Sequence, residues 1–452
     1  MLYYYYFILI YCFIDIMYLK VFKKIVVGLL VLAALLVFLF YLKFLLKPTC
    51  WRLGYTLCAA VGQDFFALYQ ATYNFFHKIF IYGPPAAADL VTPYFMIFKY
   101  FPISPLIVGW PLLLIGQTAM ESYQFYLVFT LIFYLIGFLG IFLTARKLNL
   151  NNKTKLLVFL LWFTYFPILS DLRMGQYNLI SSLFFLLSLL ALVSSRKIFS
   201  AVSWLLSLAF KPIALFNLIY YLKTKNKTAL WGFLICFVLF TGGYLLYYQL
   251  HYPFAISDFF HTVLLAGDRT GWQIHYPDNF SVNTFFGELF YERNHLLFSL
   301  ISRLYPLIVL GIFLFISYKI KFKGEIKTDL YYSLYAFSTL IMIHKEVWES
   351  WLSSWIVVIA ILLIIADNYK EKIFLFLNGI LLGTPSLFYF YEIHKTSFWR
   401  FLMVSEKVIP QLLIYGYLIY HLFYLIKNQR LNLLAVQQKS IGSVKPKAEI
   451  NS

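Results

Sequence analysis

The sequence predicts an all-α polytopic membrane protein with about 10–12 transmembrane helices. Of its 452 residues, 62% are hydrophobic and only 12% are charged, whereas a soluble domain is roughly half apolar and about a quarter charged. Many apolar runs exceed the ~20 residues that a helix needs to cross a bilayer. We therefore expect one membrane domain, residues 17–426, and a basic cytoplasmic tail, residues 427–452, that is disordered.

The N-terminal residues do not have the pattern of a signal peptide. They lack a basic first region and a cleavage site made of small residues. Met17 is followed by Lys20, Lys23 and Lys24 and then by a long apolar run, which is a more typical beginning for a membrane protein. We expect that translation starts at Met17 rather than at Met1.

The positive charge of the chain predicts its orientation. The net charge is +18, from 37 Lys and Arg against 19 Asp and Glu. In a soluble protein this excess would suggest a nucleic-acid partner, but here most of the bases lie in short loops between apolar runs. Basic loops of this kind stay in the cytoplasm. The alternation of basic loops then places residues 47–121 and 251–295 outside, as two large extracytoplasmic loops with juxtamembrane helices in the first.

Residues 198–222 form an apolar run that does not fit a simple crossing. Basic residues flank both of its ends, yet the run is too short for two crossings of ~20 residues each. Lys211 and Pro212 lie at its middle, and a proline cannot continue the hydrogen-bond ladder of a helix. We predict a hairpin of two short helical arms, with its apex at Lys211 near the outer face.

The cysteines and the other metal-ligating residue types do not form a recognisable metal-binding pattern in the sequence. Cys50 and Cys58 share one loop and could pair in an oxidising compartment, whereas Cys12 and Cys236 lie in apolar runs. No Cys-x-x-Cys or His-Glu-x-x-His pattern occurs. We expect no cofactor; a divalent metal is conceivable but unsupported, because no second acidic residue stands reliably beside Asp64.

The polar clusters that have a charged member and are not simply part of a loop all fall on the predicted outer side. They are Asp64, Lys99, Asp171, Arg173, Lys211, the loop around Arg269, Lys345 and Glu349. Charged groups at membrane ends or inside membrane helices are costly and usually functional. Structural explanations exist for some of them, since Asp64 could cap a helix and Arg173 could be an interfacial side chain. Lys211 is harder to explain in this way.

The order of these clusters carries a family resemblance. A lone Asp opens Asp64-Phe65-Phe66-Ala67, and Tyr100-Phe101-Pro102, Gly175-Gln176-Tyr177-Asn178, Leu208-Ala209-Phe210-Lys211-Pro212 and Asn279-Phe280-Ser281-Val282 follow. This series resembles the GT-C membrane glycosyltransferases, most closely the polyprenyl-phosphate-mannose-dependent mannosyltransferases of glycosyltransferase family 87. The resemblance covers roughly Asp64 to Ala360. The family's Asn-Gln-Ser motif has Phe280 at its middle here, and its Trp-x-His-His element appears as Trp348-Glu349-Ser350-Trp351.

The resemblance implies a GT-C-type helical bundle in the plasma or inner membrane with an extracytoplasmic active site. It implies a polyprenyl-phosphate donor of mannose or a similar sugar, and a glycan or glycolipid acceptor. Asp64 suits the general base, and a single carboxylate acting as base suits inversion. The candidate phosphate ligands are Lys211, Arg173, Lys99, Lys345 and Arg269. The candidate sugar ligands are Gln176, Asn178, Asn279 and Glu349.

Two other classes of function remain open at this point. A transporter or flippase of lipid-linked saccharides should carry charges near the midplane, often in related positions of two halves. The polar residues here cluster toward one face, and the sequence has no evident internal repeat. A surface-glycan polymerase would use similar lipid phosphates but needs an arginine-rich loop, for which Arg269 and Arg293 are thin support.

Overall fold

The chain forms a bundle of helices. The computed structural model describes residues 20–46, 62–82, 98–116, 118–148, 150–264, 279–291, 293–322, 324–386 and 397–442. Within these ranges there is no strand, and the one β-bridge is an isolated antiparallel pair, Asn279 and Trp348. The predicted all-α class is therefore confirmed. Met1, Met17, Cys12, Cys50, Cys58 and Arg269 lie outside the described residues.

The helices of the first half surround the segment that carries Asp64. In chain order they are α1 (Lys20–Leu46), α2 (Gln63–Phe76), a π-helical turn (Pro105–Gly109), α3 (Trp110–Ile115), α4 (Ala119–Lys147), α5 (Asn152–Thr164), α6 (Pro167–Met174), α7 (Asn178–Val193), α8 (Lys197–Phe210), a 3₁₀ helix (Pro212–Asn217) and α9 (Leu218–Lys223).

The second half continues with helices of the same kind. They are α10 (Lys227–Phe233), a π segment (Leu234–Leu239), α11 (Phe240–Gln249), α12 (Ala255–Phe259), a π turn (Phe260–Leu264), α13 (Val282–Phe290), α14 (His295–Lys319), α15 (Ile326–Ile343), α16 (Glu349–Leu352), α17 (Trp355–Ile365), α18 (Tyr369–Gly383) and α19 (Ser397–Gly442).

The chain is a polytopic membrane protein. Among the described residues, 6 helical segments are long and apolar enough to cross a bilayer: Lys24–Lys43, Ala119–Lys147, Asn152–Met174, Lys227–Gln249, His295–Lys319 and Phe398–Gln429. The sequence predicts more spans than these 6, and part of the difference lies in apolar runs that form helices of 10–17 residues. Helix α7, with 16 residues, is one of them.

The hairpin predicted over residues 198–222 is present. Helix α8 forms the first arm, and Pro212–Lys223 forms the second. The open ends of the arms meet, since Asn226 Nδ2 donates to the carbonyl of Lys197 at 3.3 Å. Lys211 therefore lies at the closed end of the hairpin, away from the basic residues that flank the run.

The basic loops gather at one end of the bundle, which we call the basic end. Lys223 Nζ donates to the carbonyl of Ile320 at 2.6 Å, and Lys372 Nζ donates to Thr154 Oγ1 at 3.2 Å. The helices run from there to the opposite end, where Asp64, Gln176 and Lys211 lie; we call it the site end. The basic loops thus lie together at one end of the folded bundle, as the positive-inside rule leads us to expect.

Polar residues at the helix starts fix where the helices begin. The Thr118 hydroxyl accepts from the backbone N–H of Glu121 at 3.2 Å, and the Glu121 carboxylate accepts from the N–H of Thr118 at 3.1 Å, which completes a capping box. Ser281 caps α13 by accepting from the N–H of Thr284 at 3.0 Å. Asn294 caps α14 in the same way. These caps hold the boundaries of helices whose apolar sequences alone would not define an end.

The core lies between α7, α15 and α17. Helix α17 is buried along its whole length except at its last residue, as expected for a helix that is hydrophobic on all sides. Phe185 of α7 stacks on Phe337 of α15 with ring centroids 4.5 Å apart. The outer helices α1, α4 and α14 instead expose many large apolar side chains, which suits contact with lipid.

The C-terminal segment differs from its predicted disorder. Helix α19 continues from the membrane to Gly442, so residues 427–442 are helical. The Gln429 side chain anchors this stretch, because its Nε2 donates to the carbonyl of Lys321 at 2.8 Å and its Oε1 accepts from the Lys321 N–H at 3.1 Å. Leucine and alanine favour helices, and several of them follow Gln429.

Candidate active site

Two glycines bring the first loop against the bundle. The N–H of Gly62 donates to the carbonyl of Arg173 at 2.8 Å. Gly175, which ends α6, has a left-handed φ of 68°, and a Cβ placed there would lie 2.6 Å from Cβ of Phe65. Only glycine suits both conditions, so Gly175 permits the start of α2 to lie on the turn between α6 and α7.

This contact determines where the Asp64 side chain points. Asp64 is the second residue of α2, and the N-cap position is taken by Gly62, which makes no side-chain cap bond. The Asp64 carboxylate accepts a hydrogen bond from Gln176 Nε2 instead. Asp64 therefore does not act as the N-cap of α2, which was the structural alternative for this residue.

The Gln176 amide also contacts the buried lysine of the hairpin. Its Oε1 accepts from Lys211 Nζ at 3.2 Å and from Asn178 Nδ2 at 3.4 Å. The backbone carbonyl of Lys211 accepts from Ser181 Oγ at 3.0 Å, which holds the apex of the hairpin against α7. One side chain thus joins the candidate base to the principal candidate phosphate ligand.

An aromatic side chain covers Lys211 from another side. Lys211 Nζ lies 4.0 Å from the ring centroid of Trp351, a distance typical of a cation–π contact. His344 packs on the same indole with ring centroids 4.4 Å apart. The sequence had indicated Trp351 only as part of a family element and had given His344 no role. Their position in a polar cluster after an apolar run was the available signal.

A second carboxylate lies in the same network, contrary to the expectation that none stands near Asp64. Asp171 accepts from Asn178 Nδ2 at 2.8 Å and from the backbone N–H of Leu179 at 3.1 Å. It therefore satisfies the N-terminus of α7 and holds Asn178. Because both of its oxygens are engaged by the protein, Asp171 positions the Gly175–Asn178 turn.

The site changes the acidity of its groups. Burial raises the pKa of Asp64 from its ordinary 3.8 to about 6, although the charges of Lys211 and Lys99 and the Gln176 hydrogen bond act to lower it. Burial, together with the nearby charge of Lys211, lowers the pKa of His344 to about 4. Near neutral pH the site thus holds an ionised but basic carboxylate and an uncharged imidazole.

The other predicted cations occupy different positions. Lys99 is exposed, and its charge acts on Asp64. Arg173 is 5% exposed, and its Nε has no hydrogen-bond partner in the described part of the chain. Lys345 is exposed beside the site, and its carbonyl accepts from Asn279.

The other two predicted sugar ligands, Asn279 and Glu349, also make contacts within the protein. The Asn279 side chain donates to the carbonyl of Lys345 at 3.1 Å and accepts from the N–H of Val347 at 3.0 Å. Glu349 accepts from the N–H of Ser386 at 3.2 Å, and its charge acts on buried Lys407. Asn279 thus positions the segment around residue 346, and Glu349 takes part in a separate polar cluster with Lys407.

The described residues contain no group of three or more His, Cys, Asp or Glu side chains close enough to hold a metal ion. The positive charge that the described site brings beside Asp64 comes from side chains, with Lys211 within the hydrogen-bonded network and Lys99 at its edge.

The comparison with protein families decides the class of the protein. The family model of glycosyltransferase family 87 matches residues 80–342, which is more than half of the chain. The chain belongs to glycosyltransferase family 87. The match includes Gln176 and Lys211 but begins after Asp64. No match was found among curated proteins. Family 87 membership makes the chain a glycosyltransferase of the membrane and does not favour the transporter alternative.

Proposed function

We propose that this family 87 protein transfers a sugar, mannose or a similar hexose or pentose, from a polyprenyl-phosphate donor to a glycan or glycolipid. The acceptor oxygen attacks the anomeric carbon and its proton passes to Asp64. The bond between that carbon and the phosphate oxygen breaks, and polyprenyl phosphate leaves with the bonding electrons. The shared amide of Gln176 carries this proposal, because it holds a carboxylate and an ammonium group in one site.

Asp64 has the properties of a general base. A base works best when its pKa is near the working pH, and the pKa of Asp64 is raised toward neutrality by burial. Asp171, the other carboxylate of the network, has both oxygens engaged by Asn178 and Leu179. We assign no carboxylate the role of nucleophile, so the acceptor itself attacks and the anomeric carbon is inverted.

Lys211 supplies the positive charge that a departing phosphate needs. It is buried, so its charge is weakly screened and acts strongly on a nearby anion. Gln176 and Trp351 hold its ammonium group in place. Lys99 adds a second positive charge at the edge of the site, and Arg173 offers an unpaired Nε. These groups would neutralise the lipid phosphate in a reaction for which we propose no metal.

We propose that the site end faces the extracytoplasmic side of the plasma or inner membrane. The loops at the opposite end carry many lysines and arginines, and such loops remain in the cytoplasm. The donor would reach Lys211 from the bilayer, since the hairpin apex lies where apolar helices end.

The proposal is tested in cells that contain the wild-type protein, lack it, or carry Asp64→Asn. Mass spectrometry of surface glycans and lipid-linked sugars should reveal one sugar missing from a glycan when the protein is absent or carries Asp64→Asn, with unused polyprenyl-phosphate sugar accumulating. A flippase would instead leave a complete lipid-linked saccharide stranded on the cytoplasmic face. That outcome, or unchanged glycans, would contradict the proposal.

A further inference from the structure

Residues 344–348 pass beside Lys211 in a conformation that neighbouring groups hold firmly. The Asn279 amide binds the carbonyl of Lys345 and the N–H of Val347, which flank Glu346 on both sides. The N–H of Phe280 also donates to the carbonyl of Val347 at 2.6 Å. The backbone at Glu346 is further fixed by His344, whose Nδ1 lies 2.8 Å from the Glu346 carbonyl oxygen.

The Glu346 side chain held by this segment is buried without a partner. It is 7% exposed, and its Oε1 has no hydrogen-bond partner among the described residues. A buried carboxylate without partners is costly, because it loses hydration and gains nothing in return. The fold fixes the peptide groups on both sides of Glu346, but the described residues provide no hydrogen-bond donor for its Oε1. Such an arrangement is suited to a ligand that donates the missing hydrogen bonds.

Glu346 lies close enough to Lys211 for their charges to interact. Its carboxylate forms no ion pair among the described residues, however, and the Lys211 ammonium already contacts Gln176 and Trp351. Asp64 interacts with Lys211 as well. Two carboxylates, Asp64 and Glu346, therefore share the vicinity of the cation to which we assign the donor phosphate.

We propose that Glu346 binds hydroxyl groups of the sugar that is being transferred. This inference rests on the proposed function, since the sugar is bonded directly to the phosphate that Lys211 would hold. Carboxylate oxygens accept hydrogen bonds from hydroxyl groups, and two oxygens suit two neighbouring hydroxyls of a sugar ring. Glu346 is then a specificity residue for the donor, distinct in role from Asp64, which takes the proton of the acceptor.

The test compares binding of three lipids to the purified full-length protein in nanodiscs: polyprenyl phosphate, polyprenyl-phosphate mannose and polyprenyl-phosphate glucose. In the wild type, at least one sugar lipid should bind more tightly than the sugar-free phosphate. Glu346→Gln should reduce that advantage by about 10-fold to 100-fold, as expected for loss of a hydrogen bond to a charged group. Binding of sugar-free polyprenyl phosphate should not weaken, because the variant removes a negative charge near the phosphate.

Two further variants separate direct contact from an effect on Lys211. Glu346→Asp keeps the charge but shortens the side chain, so it should also lose the advantage of the sugar lipid. Glu325→Gln, the same chemical change in an exposed residue at the basic end, is the control and should bind all three lipids as the wild type does. Thermal melting of each variant establishes that it is folded.

The outcomes distinguish the inference from the function on which it rests. If wild-type protein binds none of the three lipids, both the proposed function and the role of Glu346 fail. Suppose instead that the wild type binds them, that Glu346→Gln changes the affinity for sugar-free and sugar lipids by the same factor, and that Glu346→Asp binds as the wild type does. Glu346 then affects binding only through the effect of its charge on Lys211. That second result overturns the inference and leaves the proposed function intact.

Discussion

Asp64 and Lys211 bind opposite ends of one side-chain amide, that of Gln176. The amide nitrogen donates to the Asp64 carboxylate, and the amide oxygen accepts from Lys211 Nζ at 3.2 Å. The two charged groups are thereby held close to each other without neutralising each other in a direct ion pair. The phosphate of a donor at Lys211 and the hydroxyl of a separate acceptor at Asp64 could then occupy the site together.

Replacement of Lys211 should impair transfer more than folding. In Lys211→Ala the developing charge on the phosphate loses its buried partner, and we expect a fall of about 10²–10³-fold in the rate of transfer, as for loss of one oxyanion donor. Lys211→Arg should restore part of the rate, since a planar fork replaces a compact charge. Steady-state transfer with a polyprenyl-phosphate donor measures both.

The control for Lys211 is another buried lysine. Lys372 is also 7% exposed, but it lies at the basic end and donates to Thr154. Lys372→Ala should leave the rate per folded molecule unchanged. Equal losses in both variants, or wild-type transfer by Lys211→Ala, would mean that Lys211 has only a structural role.

The rate of transfer should depend on pH through Asp64. The base must be ionised, and its pKa is about 6, so the rate should fall about tenfold per pH unit well below 6 and level off above it. The charge of Lys99 lowers this pKa, so Lys99→Ala should move the midpoint to higher pH. Lys78→Ala, at an exposed lysine after the end of α2, should not. A pH profile identical in all three proteins would contradict the assignment.

Gly175 should be indispensable for the site. In Gly175→Ala the new Cβ would lie 2.6 Å from Cβ of Phe65, at a φ that non-glycine residues rarely adopt. The start of α2 must then move away from Gln176, and we expect transfer to be largely lost. Gly311→Ala, in α14 with nothing within 4 Å of the added methyl group, is the control. Equal transfer by both variants would show that α2 need not lie on this turn.

Much of the fold could be predicted from the sequence because membrane helices follow simple rules. Apolar runs predicted the bundle, and Pro212 beside Lys211 predicted the hairpin break that the structure contains. The number of long spans was less predictable, since composition does not show where a run is divided. In the helix that continues beyond residue 427, the Gln429 side chain pairs with the backbone of Lys321, a contact that no local pattern reveals.

The site was predictable in part. The residues Asp64, Gln176 and Lys211 were chosen from the sequence, and the fold brings them into contact over long separations along the chain. Asn279 was expected to meet a sugar, but its amide holds the backbone around Glu346. Whether an amide faces a ligand or a peptide group depends on tertiary contacts, so neither this arrangement nor the cover of Trp351 over Lys211 could be derived from spacing.

The orientation of the bundle can be tested with single cysteines in a protein without its native ones. Lys78→Cys lies at the site end and Glu325→Cys at the basic end, and both original residues are exposed. In intact cells a membrane-impermeant maleimide should label position 78 and not position 325. The reverse pattern would place the site in the cytoplasm and refute the predicted topology.

The role of Asp64 as the base is the central claim, and Asp64→Asn isolates it. Asparagine keeps the shape of the side chain and can still accept from Gln176, but it cannot take up the proton. Because the pKa of Asp64 is raised in the folded protein, its ionisation costs stability as pH rises from below 3.8 to above 6. Asp64→Asn should therefore melt no lower than wild type at pH 7. A loss of transfer would then not reflect unfolding.

The most direct measurement is the rate of sugar transfer by Asp64→Asn beside the wild type and Asp258→Asn. Asp258, in the short helix α12, accepts a hydrogen bond from the Tyr252 hydroxyl, so it controls for the chemical change. We predict that Asp64→Asn loses about 10²–10⁴-fold in rate, still binds the lipid-phosphate donor, and that Asp258→Asn transfers normally. Wild-type transfer by Asp64→Asn would contradict the account, since a residue that cannot accept a proton would be serving as well as the proposed base.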